Sequence, residues 1–236
     1  MSDTATPLAY TRTARTQIEE FKNHIDGKWS ASQTGEQFDV INPADTNDVV
    51  GRFPASSAAD AEAAVRAASS AFASWKKTPI SARAKILNRA ADYLEANVDR
   101  FAAELTREMG KALNLSKDEI LRSAQTLRFY AVEGQSFTGE TFPNDDPDMV
   151  VYTQREPLGV VTVITPWNFP VSIPARKIAP ALITGNAVVF KPSSDAPLSG
   201  YRLAEALVAG GLLYGVLNFI TGSAAIIGGV AGWSIV

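Results

Sequence analysis

Residues 160–222 read VVTVITPWNFPVSIPARKIAPALITGNAVVFKPSSDAPLSGYRLAEALVAGGLLYGVLNFITG, and the punctuation of this stretch decides the fold. It holds three short, unbroken apolar runs: Val160-Val161-Thr162-Val163-Ile164, Ala187-Val188-Val189-Phe190 and Val216-Leu217-Asn218-Phe219-Ile220. Runs of this length, rich in β-branched residues and without alternation, are typical of strands buried on both faces. Between them a helix is expected from Pro170 to Thr184, ended by Gly185, and a second from about Pro197 to Gly210-Gly211. A βαβαβ succession gives parallel strands joined by right-handed crossovers. The chain is therefore expected to be an α/β protein built on a parallel sheet.

That topology says where a ligand goes, because open parallel sheets bind in the crevice outside the carboxyl ends of their strands. Three loops share that edge: Thr165 to Phe169, Lys191 to Asp195, and Thr221-Gly222-Ser223. The first offers a tryptophan and an asparagine in place of a glycine-rich turn. The second opens with Lys191, a cation at the end of an apolar strand, where a partner bearing negative charge or hydroxyls is expected. Ser193 and Ser194 add two hydroxyls. The group suits a ribose or a phosphate; the plainer alternative is a snorkelling lysine and two helix-capping serines.

Outward from this core, residues 1–20 read as a loose arm. His24-Ile25-Asp26-Gly27-Lys28-Trp29 suggests two short strands around a tight turn, and Phe38–Pro43 and Val49–Phe53 are extended. Three helices are expected next. Ser57-x-x-Asp60 is a capping-box variant heading an alanine-rich helix to Trp75. From Ser81, the residues Ile86, Ala90, Leu94, Val98, Phe101, Leu105 and Met109 form one continuous apolar face, closed by Gly110. Ser116-x-x-Glu119 is expected to open the third. Residues 137–157, with the turn cluster Pro143-Asn144-Asp145-Asp146-Pro147, read as a β-hairpin leaving the domain body.

Composition bounds the rest. The chain has 236 residues, 46% of them hydrophobic, and a net charge of −3 from 22 basic and 25 acidic side chains. That charge favours neither nucleic acid nor a membrane surface. Zero cysteines exclude disulfides, thiolate metal sites and thiol catalysis within this chain. With one histidine, His24, no metal centre is expected. No signal-peptide core precedes residue 20; Arg12 and Arg15 give residues 4–18 a faint transit-peptide look, but a cytoplasmic arm is the preferred reading.

At TPWNFP (165–170), ARKIAPALITGNAVVFKPSS (175–194) and GGLLYGVLNFITG (210–222) the chain resembles the aldehyde dehydrogenase superfamily, over roughly residues 20–222; NPADTNDVVG (42–51) and EMGK (108–111) agree. It is most similar to α-ketoglutaric (2,5-dioxopentanoate) and succinate-semialdehyde dehydrogenases. The resemblance implies a Rossmann-like cofactor domain, here incomplete, over 21–136 and 158–236, with 137–157 as its oligomerisation hairpin, and NADP or NAD as cofactor. Ile164, Thr165, Pro166, Trp167 and Asn168 would line the cofactor's passage. Lys191 would bond the adenosine ribose beside Pro192, Ser193 and Ser194, and Gly222 would lie under the pyrophosphate. Asn168 would donate its amide to the oxyanion, and Arg176 would bind a substrate carboxylate. The implied partners are a small aldehyde and further copies of the chain, with no nucleic acid or membrane.

The departures bear equally on function. Family members carry a cysteine nucleophile and a glutamate base well beyond position 236, through which a thiohemiacetal forms, hydride leaves and water cleaves the thioester. This chain has neither, and so by resemblance is an N-terminal fragment without a catalytic domain, inactive alone. The alternative is a non-catalytic remnant that binds nucleotide or joins full-length subunits. The uncharged end from Ser223 to Val236 departs from the family and reads as a frameshift or early stop. A sheet cut short there is expected to leave Val216–Ile220 as an exposed apolar edge.

Overall fold

A computed structural model describes residues 18–223. The expected arm lies mostly outside the described residues, as does the tail beyond Ser223. The last residues of the arm are not loose: the Arg52 amide donates to the Glu19 carbonyl (2.9 Å), and Phe21 returns the bond (2.8 Å).

The chain opens with two antiparallel pairs, β1 (Asn23–Ile25) with β2 (Lys28–Ser30) and β3 (Gln37–Ile41) with β4 (Val49–Pro54). The β1–β2 turn uses Asp26 and Gly27, both at positive φ, as a two-residue hairpin loop requires. Four helices follow: α1 (Ala58–Trp75), α2 (Ile80–Ala96), α3 (Val98–Met109) and α4 (Leu113–Glu133). The Ser57–Asp60 capping box of α1 forms as expected. The single long helix expected from Ser81 to Met109 is instead two. Asn97 leaves helical geometry (φ −111°, ψ 15°) and its side-chain amide donates back to the Tyr93 carbonyl, terminating α2. The apolar rhythm runs through the break because both helices bury one face in the same core. Helix α4 also begins three residues before the expected Ser116; Ser116 and Glu119 lie inside it, buried, with other work to do.

The hairpin of β5 (Thr141–Phe142) and β6 (Val151–Tyr152) stands off the body. Its Phe142, Met149, Val150 and Tyr152 are exposed. Then come β7 (Val160–Ile164), α5 (Ser172–Ile183), β8 (Ala187–Lys191), α6 (Pro197–Ala209) and β9 (Leu217–Phe219). The last three strands are parallel, as expected.

They belong to a mixed five-stranded sheet ordered β2-β1-β9-β8-β7. One face is covered by α1, whose Ala61, Ala64 and Ala68 let it lie close against Val160, Ala187 and Val189. On the other face α5 and α6 pack, with α2, α3 and α4 behind them. The order corrects the expected position of the open edge. β1 pairs antiparallel with β9, aligning His24 with Phe219, and β9 is fully buried. Side chains pin the junction: the Asp26 amide donates to Asn218 Oδ1 (3.0 Å), the Thr221 amide donates to Asn23 Oδ1 (3.1 Å), and His24 Nδ1 lies 3.2 Å from the Leu217 carbonyl. Burial holds the His24 imidazole below its ordinary pKa. The sheet ends at β2 on one side and at β7 on the other, so of the three parallel strands it is β7 that has no outer neighbour among the described residues. In the common doubly wound order a fourth parallel strand lies beside the first, and β7 is the first of this βαβαβ unit.

Candidate functional site

The carboxyl ends of β7, β8 and β9 bring the three expected loops to one edge. After β7, Ile164 is half exposed, and Pro166, Trp167 (52% exposed), Asn168 and Phe169 face outward. Thr165 is buried, its amide donating to the Lys191 carbonyl (3.3 Å), and its hydroxyl has no hydrogen-bond partner among the described residues. A buried hydroxyl without a partner is costly, so Thr165 offers a ready polar contact to a ligand entering here.

What holds this loop was not legible in the motif. Glu119, on α4, is buried and its Oε1 accepts from the Val171 amide (3.0 Å) and the Ser172 amide (3.1 Å), capping α5. Its Oε2 pairs with Lys111, whose Nζ also donates to the Asn168 carbonyl (3.0 Å) and lies over the Phe169 ring at 4.2 Å. Lys111 and Glu119 thus clamp the backbone that presents the Asn168 amide. A second carboxylate repeats the device. Glu108 accepts from the Leu198 amide (2.5 Å), the Ser199 amide (2.9 Å) and the Ser199 hydroxyl (2.5 Å), capping α6. Burial outweighs these bonds and pushes Glu108 up to about 7. Both crossover helices therefore present carboxylates at N-termini that in other dinucleotide folds receive phosphate. A dinucleotide here must take its pyrophosphate elsewhere.

Lys191 is buried, and its ammonium donates to two carbonyls, Pro192 (2.7 Å) and Gly222 (2.9 Å). Ser194 Oγ donates to the same Gly222 carbonyl (2.8 Å). Gly222 adopts φ +135°, a conformation open to glycine, and this turns its carbonyl into the cluster. The β8 and β9 loops are thereby tied together. An ammonium carries three protons; with two bound internally, one remains for a ligand. Burial lowers the Lys191 pKa, and the nearby Asp195 works against that shift. Ser193 donates to Asp195 Oδ2 (3.1 Å), and the Asp195 carboxylate is exposed. Arg176 lies exposed in the second turn of α5. Among the described residues no three His, Asp or Glu side chains converge as metal ligands would, and no helix is long and apolar enough to cross a membrane.

Residues 29–231 match the sequence model of the aldehyde dehydrogenase family. The chain belongs to the aldehyde dehydrogenase family. It is 43% identical over 213 residues to the α-ketoglutaric semialdehyde dehydrogenase of Bacillus subtilis, covering 90% of this chain and 44% of that one. Among solved structures it is similar to an NADP-dependent enzyme of Escherichia coli (TM-score 0.86, 36% identity, 89% of this chain and 44% of that chain). It is also similar to an NAD-dependent aldehyde dehydrogenase of Sinorhizobium meliloti (TM-score 0.88, 32% identity, 91% and 43%). The chain thus spans less than half the length of each of these relatives.

Proposed function

We propose that this chain forms the cofactor-binding part of an NAD(P)-dependent aldehyde dehydrogenase that oxidises a carboxylate-bearing semialdehyde. The observation that carries the reading is the Lys191–Gly222–Ser194 cluster beside the clamped Asn168 loop. When bound, the cofactor supplies the nicotinamide that accepts hydride from the substrate.

The chain's own residues bind and orient. Lys191 would donate its third N–H to a ribose hydroxyl. The Thr165 hydroxyl, otherwise without a partner, takes a polar atom of the cofactor, and Ile164, Pro166 and Trp167 flank its path. Ser193 and Pro192 shape the ribose end, and Gly222 admits the pyrophosphate at close range. Asn168 directs its amide at the developing oxyanion, a contact typically worth about 3–4 kcal/mol in the transition state. Arg176 takes the substrate carboxylate. Ser194 stands where a carboxylate would repel a 2′-phosphate, which favours NADP. The Bacillus subtilis relative named for a semialdehyde supports the substrate class. Residues 137–157 are the oligomerisation hairpin, and the setting is cytoplasmic.

Calorimetric titration with NADP and NAD tests the reading. Binding is expected, weakened about tenfold or more in Lys191→Met, and Ser194→Glu is expected to reduce NADP affinity selectively. A folded chain that takes up neither cofactor overturns it. A second reading rests on the absence of cysteine: the chain is a non-catalytic partner that binds nucleotide or joins full-length subunits through the exposed apolar hairpin.

A further inference from the structure

At the other end of the parallel strands lies a cleft of about 860 Å³, lined by the end of α1, the start of α2, the end of α5 and the base of the hairpin. Arg83 reaches it from the first turns of α2 and is only 6% exposed. Its Nε and Nη1 are enclosed and have no hydrogen-bond partner among the described residues. No ion pair reaches Arg83 among the described residues; its guanidinium lies 6.0 Å from the Trp75 ring centre and abuts the backbone of Gly185. Burying an unpaired guanidinium is expensive, and an anion at its cleft-facing end would offset that cost.

The surroundings point the same way. Pro79 precedes α2 without a side-chain cap, and the first turn of this 17-residue helix holds no acid, so its positive end is unanswered. Lys76, Lys77 and Arg155 line the same cleft without ion pairs among the described residues, against one lining carboxylate, Glu156. The contrast with α5 and α6 is informative, because those helices have buried glutamates at the corresponding place.

We propose that this cleft binds an oxyanion, a phosphate or carboxylate group, held by the Arg83 guanidinium at the uncapped N-terminus of α2. Gly185 contributes by leaving room, since a side chain there would strike the guanidinium.

The test uses the full chain. Thermal unfolding is followed in sodium phosphate, sodium succinate and sodium chloride of equal ionic strength, and inorganic phosphate and succinate are titrated calorimetrically. The midpoint is expected to rise in at least one of the two anions relative to chloride, as binding to the folded state alone requires; the tighter binder identifies the source of the oxyanion. Arg83→Met is expected to weaken that binding about tenfold or more, as loss of a charged contact should, without lowering the midpoint in chloride. Lys76→Ala/Lys77→Ala alters only exposed side chains; it should fold and weaken binding about threefold. Equal midpoints in all three salts overturn the proposal. So does a folded Arg83→Met chain that binds like the parent, or, should that variant not fold, a lysine double variant with unchanged affinity.

Discussion

At the scale of single residues, two buried glutamates, Glu119 and Glu108, organise the sheet's carboxyl edge, and each role has a measurable consequence. Glu119 satisfies two backbone amides and the Lys111 ammonium at once. Glu119→Gln leaves Lys111 with no opposite charge in a nearly closed setting. Breaking such a pair from one side typically costs about 3–5 kcal/mol, and a loss near the lower figure is expected in urea unfolding. Lys111→Met in the same background should recover part of it, since the stranded charge is removed. Glu108 makes a pH prediction. Its folded pKa of about 7 lies above the unfolded carboxyl value, so the folded state holds the proton more tightly. Its contribution to stability is therefore complete below about pH 4.5, declines as pH rises through about 7, and is absent above. The span corresponds to about 3 kcal/mol. Glu108→Gln should remove that component, seen as the difference between parent and variant unfolding free energies from pH 4.5 to 8. The difference matters because buried His24 contributes with the opposite sign, losing stability on acidification.

At the scale of elements, the three parallel strands are covered by a further strand on one flank and open on the other. β9 is shielded by β1 and by the side chains of Asn23 and Asn218, whereas β7 has β8 on one flank and no strand on the other among the described residues. Half of the β7 backbone groups thus point away from a hydrogen-bond partner. In hydrogen–deuterium exchange the amides of β8 should be the slowest of the sheet, and alternate amides of Val160–Ile164 should exchange at least tenfold faster. Uniform protection along β7 would mean that another element covers it. An open parallel edge also templates association. Ile164→Lys, which places a charge at the exposed end of that strand, should reduce concentration-dependent assembly in light scattering.

At the scale of the whole molecule, the chain has the framework of an aldehyde dehydrogenase's N-terminal portion and no thiol. Covalent aldehyde oxidation needs a nucleophile. The purified chain is therefore expected to form no NAD(P)H from succinate semialdehyde or 2,5-dioxopentanoate, while still binding cofactor. Turnover at ordinary enzyme rates, on the order of 1–1000 per second, would refute this. The exposed Phe142, Met149, Val150 and Tyr152 form an apolar surface on a hairpin held by few contacts. Replacing residues 140–153 by a short Gly-Ser linker should shift size-exclusion profiles toward monomer without lowering the thermal midpoint.

Strands β7, β8 and β9, helices α1, α5 and α6, the projecting hairpin and the loops at the carboxyl edge were legible in the chain itself. Their signals are local: unbroken β-branched runs, a capping box at Ser57, helix-ending glycines. The Thr165–Phe169 and Lys191–Ser194 loops followed because parallel topology puts strand ends on one side. The break at Asn97 was not legible, since the apolar spacing on either side serves one core and masks it. Nor were the Glu119 and Glu108 caps, which act on backbone 52 and 90 residues away, or the pairing of β1 with β9 across nearly the whole described chain. The burial of Arg83 was not legible either. Which of these groups is buried, and whether it has a partner, depends on segments that only tertiary packing brings together, because desolvation and pairing are properties of neighbours in space.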